Sequence, residues 1–296
     1  MTLPASGPIS FNAINVELGV SGTTQASLGQ ASYRTLAGVA SGQISMNNFY
    51  GKSNRATVNL TITSTTTNYD IFSNRGGSYV PGKTDVILTI NSGVVVGSAS
   101  TGAYALDTGT GWTSGDTIKI VNNGYIVGRG GAGGTNAHSG GGTGGAGGPA
   151  LRAQFAVSVQ NNNIIGGGGG GGAGSYYVND CSYIGLSGGD GAGYYGANTT
   201  NGGGGSAGNA YFCNSVSSAA GGAAGSNGSD GQNTACYNYY MDCSDASASG
   251  GGGGGLGGSG GRAYNYYNGG GPGAATSGAG TYITWLATGQ RYGSIG

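Results

Sequence analysis

The sequence predicts a mainly β and irregular fold in three parts: a small helical segment (1–54), a β domain (55–127) and a C-terminal bundle of extended glycine-rich helices (128–296). Short runs before residue 128 alternate large and polar side chains, as half-buried strands do. Of the 72 glycines, 55 follow residue 127, in seven dense tracts. Between the tracts lie short islands rich in Tyr, Asn and Ser. We therefore expect the type of structure to change near residue 128, from β-strands to extended glycine helices.

The low charge of the chain removes several classes of partner. Charged residues make up 7% of the sequence and balance to zero, so no field attracts nucleic acid or anionic lipid. No run of eighteen apolar residues is present, and the N-terminus MTLPASGP lacks a basic and an apolar region. We expect a chain that does not bind nucleic acid, does not span a membrane and is not exported by the usual route.

Residues 1–54 contain the signals of short helices. Ser10 is suited to cap a helix in which Phe11, Ile14 and Leu18 share one face, and Gly19 ends it. The motif at 6–12 recurs at 41–47, which predicts a second helix with the same start signal, and a third is predicted over 31–37. Such a segment is too small to bury its apolar stripes alone, so we interpret it as a docking module that packs on a partner or on its own copies. The alternative is a self-contained helical cap.

The β domain is predicted from three alternating segments, VNLTIT, DVILTIN and DTIKIV. Asn123-Gly124 fits the tight turn of a β-hairpin, with YIV as the returning strand. Residues 55–127 are the one region in which the sequence suggests a conventional apolar core.

A phosphate-loop pattern, GxxxxGK[ST], occurs at Gly77–Thr84. That pattern binds phosphate only when a helix follows, because the helix N-terminus supplies N–H groups. Here the β-branched run DVILTI follows, which indicates a turn before a strand. No nucleotide is expected.

The glycine tracts are able to order without apolar side chains. Fixing a residue costs ~1–2 kcal/mol of backbone entropy, but threefold extended glycine helices (polyglycine II) approach closely and exchange backbone hydrogen bonds of ~0.5–1.5 kcal/mol each. A bundle of many tracts is therefore marginally possible. The alternative is a disordered Gly/Tyr-rich chain that condenses or binds RNA.

The candidate reactive groups are few. One histidine, His138, and one glutamate, Glu17, are present; His138 would have to meet Cys181 or Asp190 in space to form a nucleophilic site. Asp190, with Asp180, Asp230, Asp242 and Asp245, is expected to cap turns or solvate loops. We predict no catalytic residue, no metal and no cofactor.

All four cysteines fall in the aromatic islands: Cys181, Cys213, Cys236 and Cys243. They allow two disulfides in three connectivities, which the sequence does not rank. Free thiols are the alternative if the protein stays in a reducing cytosol. The six residues between Cys236 and Cys243 fit no common zinc pattern.

The motif NNGYIVGRGGAGG at 122–134, followed by NNII at 162–165 and seven glycines at 166–172, resembles the tail-fibre tip adhesins of T-even-type bacteriophages. The resemblance covers about residues 115–296. It implies a sandwich of polyglycine II helices whose connecting loops bind receptors on the host surface.

The N-terminal segment is similar to segments that open many phage tail proteins, and it differs from the fibre-attachment domain of T-even adhesins. This implies docking to a phage tail or fibre protein, a place in the virion tail and synthesis in the host cytoplasm. A homo-oligomer is compatible with the docking module.

The aromatic islands are the predicted receptor-binding residues, because Tyr offers a large contact area and a polar tip at modest entropy cost. About half of the rings are expected to cover the flanks of the bundle and half to face a bacterial receptor, either protein or glycan. A structural tail component whose islands contact other virion proteins is the main rival. The candidate residues are Tyr176, Tyr177, Tyr183, Tyr194, Tyr195, Tyr211, Phe212, Tyr237, Tyr239, Tyr240, Tyr264, Tyr266 and Tyr267.

Overall fold

The computed structural model of the chain is mostly strands with few helices, as the predicted mainly β fold requires. It describes residues 2–135, 142–179, 182–196, 199–204, 206–208, 215–238, 243–263 and 267–296. For the strand residues 177–179, 182–184, 207–208, 235–238 and 243–247 only the backbone is described. Among the helices so described, none has the length and apolar character needed to cross a membrane.

The N-terminal segment contains helices α1 (Phe11–Leu18) and α2 (Ala31–Ala37) and a 3₁₀ helix (Met46–Phe49). The Ser10 side chain accepts the Ala13 N–H at 3.2 Å, and Gly19 ends α1 at φ 82°, so the predicted start and stop are confirmed. The second copy of the motif gives a 3₁₀ turn and not an α-helix. Its cap is reciprocal, since the Ser45 N–H donates to Asn48 Oδ1 at 2.8 Å.

This segment has a small core of its own. Tyr33 and Phe49 are almost fully buried, with ring centroids 5.9 Å apart, and Ile14 packs with them. The Tyr33 hydroxyl donates to the side chain of Asn15, which is also buried. The segment therefore buries part of its apolar stripe in a core of its own, because two aromatic rings supply the volume that the short helices lack, while Phe11 of that stripe stays 40% exposed.

The rest of the chain folds around a parallel β-solenoid of three sheets. The first sheet has the order β1 (Ala56–Ile62), β4 (Thr84–Ile90), β7 (Thr117–Asn122), β10 (Val157–Asn161), β18 (Ile283–Ala287). The second has β2 (Thr66–Thr67), β5 (Val95–Gly97), β8 (Tyr125–Val127), β11 (Ile164–Gly166), β19 (Gln290–Tyr292). The third has β3 (Tyr69–Asp70), β6 (Leu106–Asp107), β9 (Leu151–Arg152), β17 (Thr276–Ser277). A short helix, α3 (Ala279–Tyr282), precedes β18.

Along the chain, each of the first four coils visits the three sheets in turn, the last coil adds β18 and β19 to the first two, and every pairing within these sheets is parallel. The hairpin predicted at Asn123-Gly124 is therefore wrong. The Gly124 N–H donates to the buried side chain of Asn122 at 3.1 Å, which turns the chain through a corner into the second sheet. Strands β7 and β8 then pair with other coils and not with each other.

The interior of the solenoid is apolar. In β4 buried and half-buried residues alternate along the strand, as the sequence pattern predicts. Val157, Val159 and Ile165 belong to the same core as Leu88 and Ile120, so the core is not confined to 55–127 as expected. The reason is that β9 of the third coil and all strands of the later coils come from beyond residue 128. The division into three folding units remains a prediction.

The glycine tracts form two insertions that leave the solenoid after β8 and after β11 and return at β9 and β17. Their backbones pair with a period of three residues: Gly128, Gly131 and Gly134 donate to Gly166, Gly169 and Gly172 at 2.8–2.9 Å. The central tract, 166–174, donates to three other tracts in the same rhythm. Gly168, Gly171 and Gly174 donate to 142–148, Gly169 and Gly172 to 189–192, and Gly170 and Ala173 to 258–261.

Candidate functional site

The far end of the glycine tracts carries a small antiparallel sheet. It contains β12 (Ser175–Asn179), β13 (Ser182–Leu186), β14 (Ala207–Gly208), β15 (Asn233–Asn238) and β16 (Cys243–Ser249). Strands β12 and β13 form one hairpin and β15 and β16 another, and the two meet at the bridge Val178–Ala246. We call this the distal sheet.

The sequence explains why ordinary strands begin there. Within the tracts a side chain has no room, since a Cβ at Gly172 would lie 2.0 Å from the Gly251 oxygen. At Ser175 larger residues return, so the close packing of tracts ends and antiparallel pairing at the wider spacing of a β-sheet replaces it. The islands that begin at Ser175 and Asn233 are therefore placed at the tip of the bundle.

Several predicted binding residues lie in or beside the distal sheet. Tyr176 is half-buried in β12. Tyr177, Tyr183 and Tyr237 have their backbones in strands, and their side chains are not described. Six further candidates lie outside the described residues: Tyr211, Phe212, Tyr239, Tyr240, Tyr264 and Tyr266.

Tyr267 covers glycine at the distal end of the bundle. A Cβ added to Gly142 would lie 2.6 Å from Cδ2 of its ring, so the ring occupies the space that the glycine leaves. Its carbonyl accepts the Ala263 N–H at 3.1 Å. This ring closes the end of the bundle.

Tyr194 and Tyr195 lie at the opposite end of the bundle, beside the solenoid. The Tyr194 N–H donates to the Gly128 oxygen at 3.0 Å, next to the end of β8. Its ring rests on Gly97 of β5, where a Cβ would lie 2.2 Å from Cγ, and it packs with Leu256. A hydrogen bond with Tyr195, together with burial, raises the pKa of Tyr194. The sequence grouped these two residues with the distal islands because it does not show that every second tract ends at the solenoid.

Polar side chains cap backbone amides along the bundle. Asp190 Oδ1 accepts the Gly133 N–H at 2.7 Å, and Asp230 Oδ1 accepts the Arg262 N–H at 2.8 Å. Asn227 Oδ1 accepts the Ser259 N–H at 2.8 Å. The expected capping role fits Asp190 and Asp230; Asp180 and Asp242 lie outside the described residues, and the side chain of Asp245 is not described. The sequence missed Asn227 because an Asn in a polar loop carries no distinguishing signal.

The candidate reactive groups are not brought together in what the structure describes. His138, Cys181 and Cys213 lie outside the described residues. The backbones of Cys236 and Cys243 face Asp245 and Asn238, so these two cysteines are not opposite each other in the β15–β16 hairpin. In the described ranges no three His, Cys, Asp or Glu residues lie close enough to hold a metal ion.

The phosphate-loop reading of Gly77–Thr84 fails, as predicted. Strand β4 begins at Thr84, whose buried hydroxyl accepts the Val80 N–H at 2.8 Å and closes the preceding turn. A strand with a buried first residue offers no helix N-terminus to a phosphate.

The comparisons with known proteins agree with this architecture. A family model described as "Phage tail fibre adhesin Gp38" matches residues 57–296, from the start of the solenoid to the end of the chain. The solved structure of the gp37-gp38 adhesin tip complex of the bacteriophage S16 long tail fiber is similar at a TM-score of 0.50 and 20% identity, covering 98% of this chain and 99% of that chain. A comparison with curated protein sequences gave no match. Because the family model spans the solenoid, the glycine tracts and the distal sheet, the chain belongs to the phage tail fibre adhesin family.

Proposed function

We propose that this tail adhesin binds a receptor on the bacterial host surface through Tyr-rich loops at the distal end of a polyglycine II bundle. The observation that carries the proposal is the placement of the distal sheet: both long aromatic islands form hairpins at the tip of tracts that leave the solenoid. No bond is made or broken in this role, in keeping with the structural, non-enzymatic character of the family.

The hydrogen-bond pattern supports polyglycine II geometry. A helix with three residues per turn presents its N–H groups in three directions, 120° apart. Residues 168, 169 and 170 of the central tract donate to three different tracts, and residues 171, 172 and 173 repeat this order. A β-strand would alternate between two directions. Such a bundle is stiff, so little entropy is lost when its loops bind.

The composition of the loops supports recognition. Tyr, Asn and Ser dominate the hairpins, and this mixture combines rigid contact area with adaptable hydrogen bonding.

Residues 1–54 are proposed to attach the adhesin to a tail or fibre protein in the virion. They precede the part that the family model matches, and they expose Phe11, Val16 and Val20 at 40–46% on or beside α1. The similar S16 protein is described in complex with gp37 of a long tail fibre. Removal of residues 1–54 should leave free adhesin that folds but is missing from purified virions.

Exchange of the distal hairpins tests the receptor role. Segments 175–184 and 232–249 would be replaced by those of a related adhesin with another host, and adsorption of the phage to both hosts measured. Host choice is expected to follow the hairpins. The control is Ser64→Asn, an exposed change on the solenoid, which should leave adsorption unchanged.

Two results would contradict the proposal. If host choice stays with the solenoid and the tracts, the hairpins do not select the receptor. If the exchange blocks assembly of the tail and leaves the free protein folded, the hairpins contact other virion proteins instead.

A further inference from the structure

A groove of about 380 Å³ runs along the flank of the glycine bundle beside the solenoid, at the end opposite the distal sheet. Its polar side chains are Thr101, Arg129, Asp190 and Tyr195. The floor is formed by glycine backbone and by the exposed methyl groups of Ala132 and Ala146. The volume falls at the small end of the range for ligand pockets, ~300–1,000 Å³.

Tyr195 has an unusual conformation at this groove. Its φ is 54°, in the left-handed region that bulky residues avoid; in the described ranges Asn68 is the other non-glycine residue with positive φ. The side chain is nevertheless 64% exposed, so burial does not hold it in place. Its ring contacts that of Tyr194, with centroids 4.2 Å apart, and the rest of the ring lines the groove.

The charged groups are anchored by single contacts. Arg129 Nη1 donates to the Ala99 oxygen at 2.8 Å, and the guanidinium carbon lies 5.2 Å from the centroid of the Tyr195 ring. One carboxylate oxygen of Asp190 accepts the Gly133 N–H. In the part of the chain that the structure describes, these side chains make no other hydrogen bond or ion pair. Guanidinium N–H donors and a carboxylate oxygen therefore remain at the groove.

This set of groups favours one chemical class of ligand. A phosphate would be attracted by Arg129 but repelled by Asp190. A neutral sugar uses both, because its hydroxyl groups accept from a guanidinium and donate to a carboxylate, while its C–H face packs on an aromatic ring and on methyl groups. We propose that the groove is a glycan-binding subsite that takes one unit of a neutral cell-surface saccharide. It is a second site, separate from the distal hairpins.

Tyr195→Gly tests the subsite with the full-length chain. Glycine adopts φ 54° freely, so the variant loses the ring and the strain together. Binding to an array of neutral hexose and N-acetylhexosamine oligosaccharides should fall at least tenfold. Asp190→Asn, which keeps an oxygen for the Gly133 N–H, should also weaken binding. Tyr282→Ala, at another exposed tyrosine, should not.

The proposal is overturned if no oligosaccharide on the array binds in a Tyr195-dependent way. The protein with exchanged distal hairpins should keep array binding, so failure of this subsite and failure of the receptor role of the hairpins give different results.

Discussion

Gly171 illustrates, at the scale of one residue, why the tracts contain so little else. A Cβ at this position would lie 1.9 Å from the Ala132 oxygen, and the tract of Ala132 cannot retreat because its Gly131 and Gly134 donate to Gly169 and Gly172 at 2.9 and 2.8 Å. Gly271 lies in the adjoining tract with nothing within 4 Å of its Cβ and with an ordinary φ. The two glycines therefore differ only in their surroundings.

Gly171→Ala should lower the free energy of unfolding by about 3 kcal/mol or more, because overpacking here meets backbone and not a flexible side chain. Gly271→Ala should be neutral or stabilise by about 0.4–1 kcal/mol through the unfolded state. Urea unfolding of both variants measures the difference. Equal stability of the two would mean that the tracts are not packed, as the disordered alternative requires.

Asp85 links pH to stability. Arg55 donates to both of its oxygens, at 2.7 and 2.8 Å, and this hydrogen-bonded pair lowers the pKa of Asp85. The stabilisation is present above the unfolded pKa of about 3.9 and is lost as pH falls through the lower folded value. The Asp85 side chain is 35% exposed, so we expect only about 1 kcal/mol.

Asp85→Asn should therefore cost about 1 kcal/mol at pH 7 and reduce the loss of stability on acidification below about pH 4. Urea titrations between pH 7 and pH 2 measure both effects. Wild type and variant with parallel pH profiles would show that the ion pair contributes nothing to acid sensitivity.

At the scale of elements, two buried asparagines join neighbouring coils of the solenoid. Asn122 and Asn161 are opposite each other in the register of β7 and β10, and the Asn122 amide donates to Asn161 Oδ1 at 2.8 Å and to the Ile164 oxygen at 3.0 Å. Asn161 in turn donates to the Thr288 and Gln290 oxygens of the last coil. At the corner between the first and second sheets, these side-chain hydrogen bonds therefore connect neighbouring coils in place of the backbone hydrogen bonds of the strands.

Asn122→Ala should lower the free energy of unfolding by about 2–3 kcal/mol, because it leaves the Gly124 N–H and the Ile164 oxygen without their partner in a buried corner. The control is Asn162→Ala, whose exposed amide bonds Asn123 at 2.8 Å and should contribute less than about 0.5 kcal/mol. Thermal melts of the two variants compare them. A similar loss in both would contradict a special role for the buried pair.

At the scale of the whole molecule, the glycine bundle is an insertion into the solenoid and not an appended domain. Strands β10 and β11 follow residue 128 in sequence, yet they pair with β7 and β8, which precede it, and β18 and β19 extend the same two sheets. The family match also begins at residue 57 and runs through both parts. A cut at residue 128 would expose the edges of β10 and β11 to water.

We therefore expect fragment 128–296 to be unfolded or aggregated and fragment 55–296 to fold. Circular dichroism and size-exclusion chromatography of the two purified fragments check this. A monomeric 128–296 with a cooperative melt would show that the bundle folds without the first coils and would support the three folding units predicted from composition.

The sequence alone predicted local features, because local chemistry causes them. The Ser10 cap and the Gly19 stop follow from hydrogen bonding within one turn, and the alternation in β4 follows from one buried face. The glycine tracts, the aromatic islands and the resemblance carried by 122–134 indicated the family that the comparisons show.

Tertiary structure decided which segments meet. Asn123-Gly124 has the composition of a hairpin turn, but the buried amide of Asn122 makes it a corner. Tyr194 and Tyr176 occur in similar islands, yet one packs on Gly97 of the solenoid and the other lies in the distal sheet. Neither difference is visible in the local sequence, since each depends on strands and tracts from distant parts of the chain. A glycine tract that leaves the solenoid has the same composition as one that returns to it.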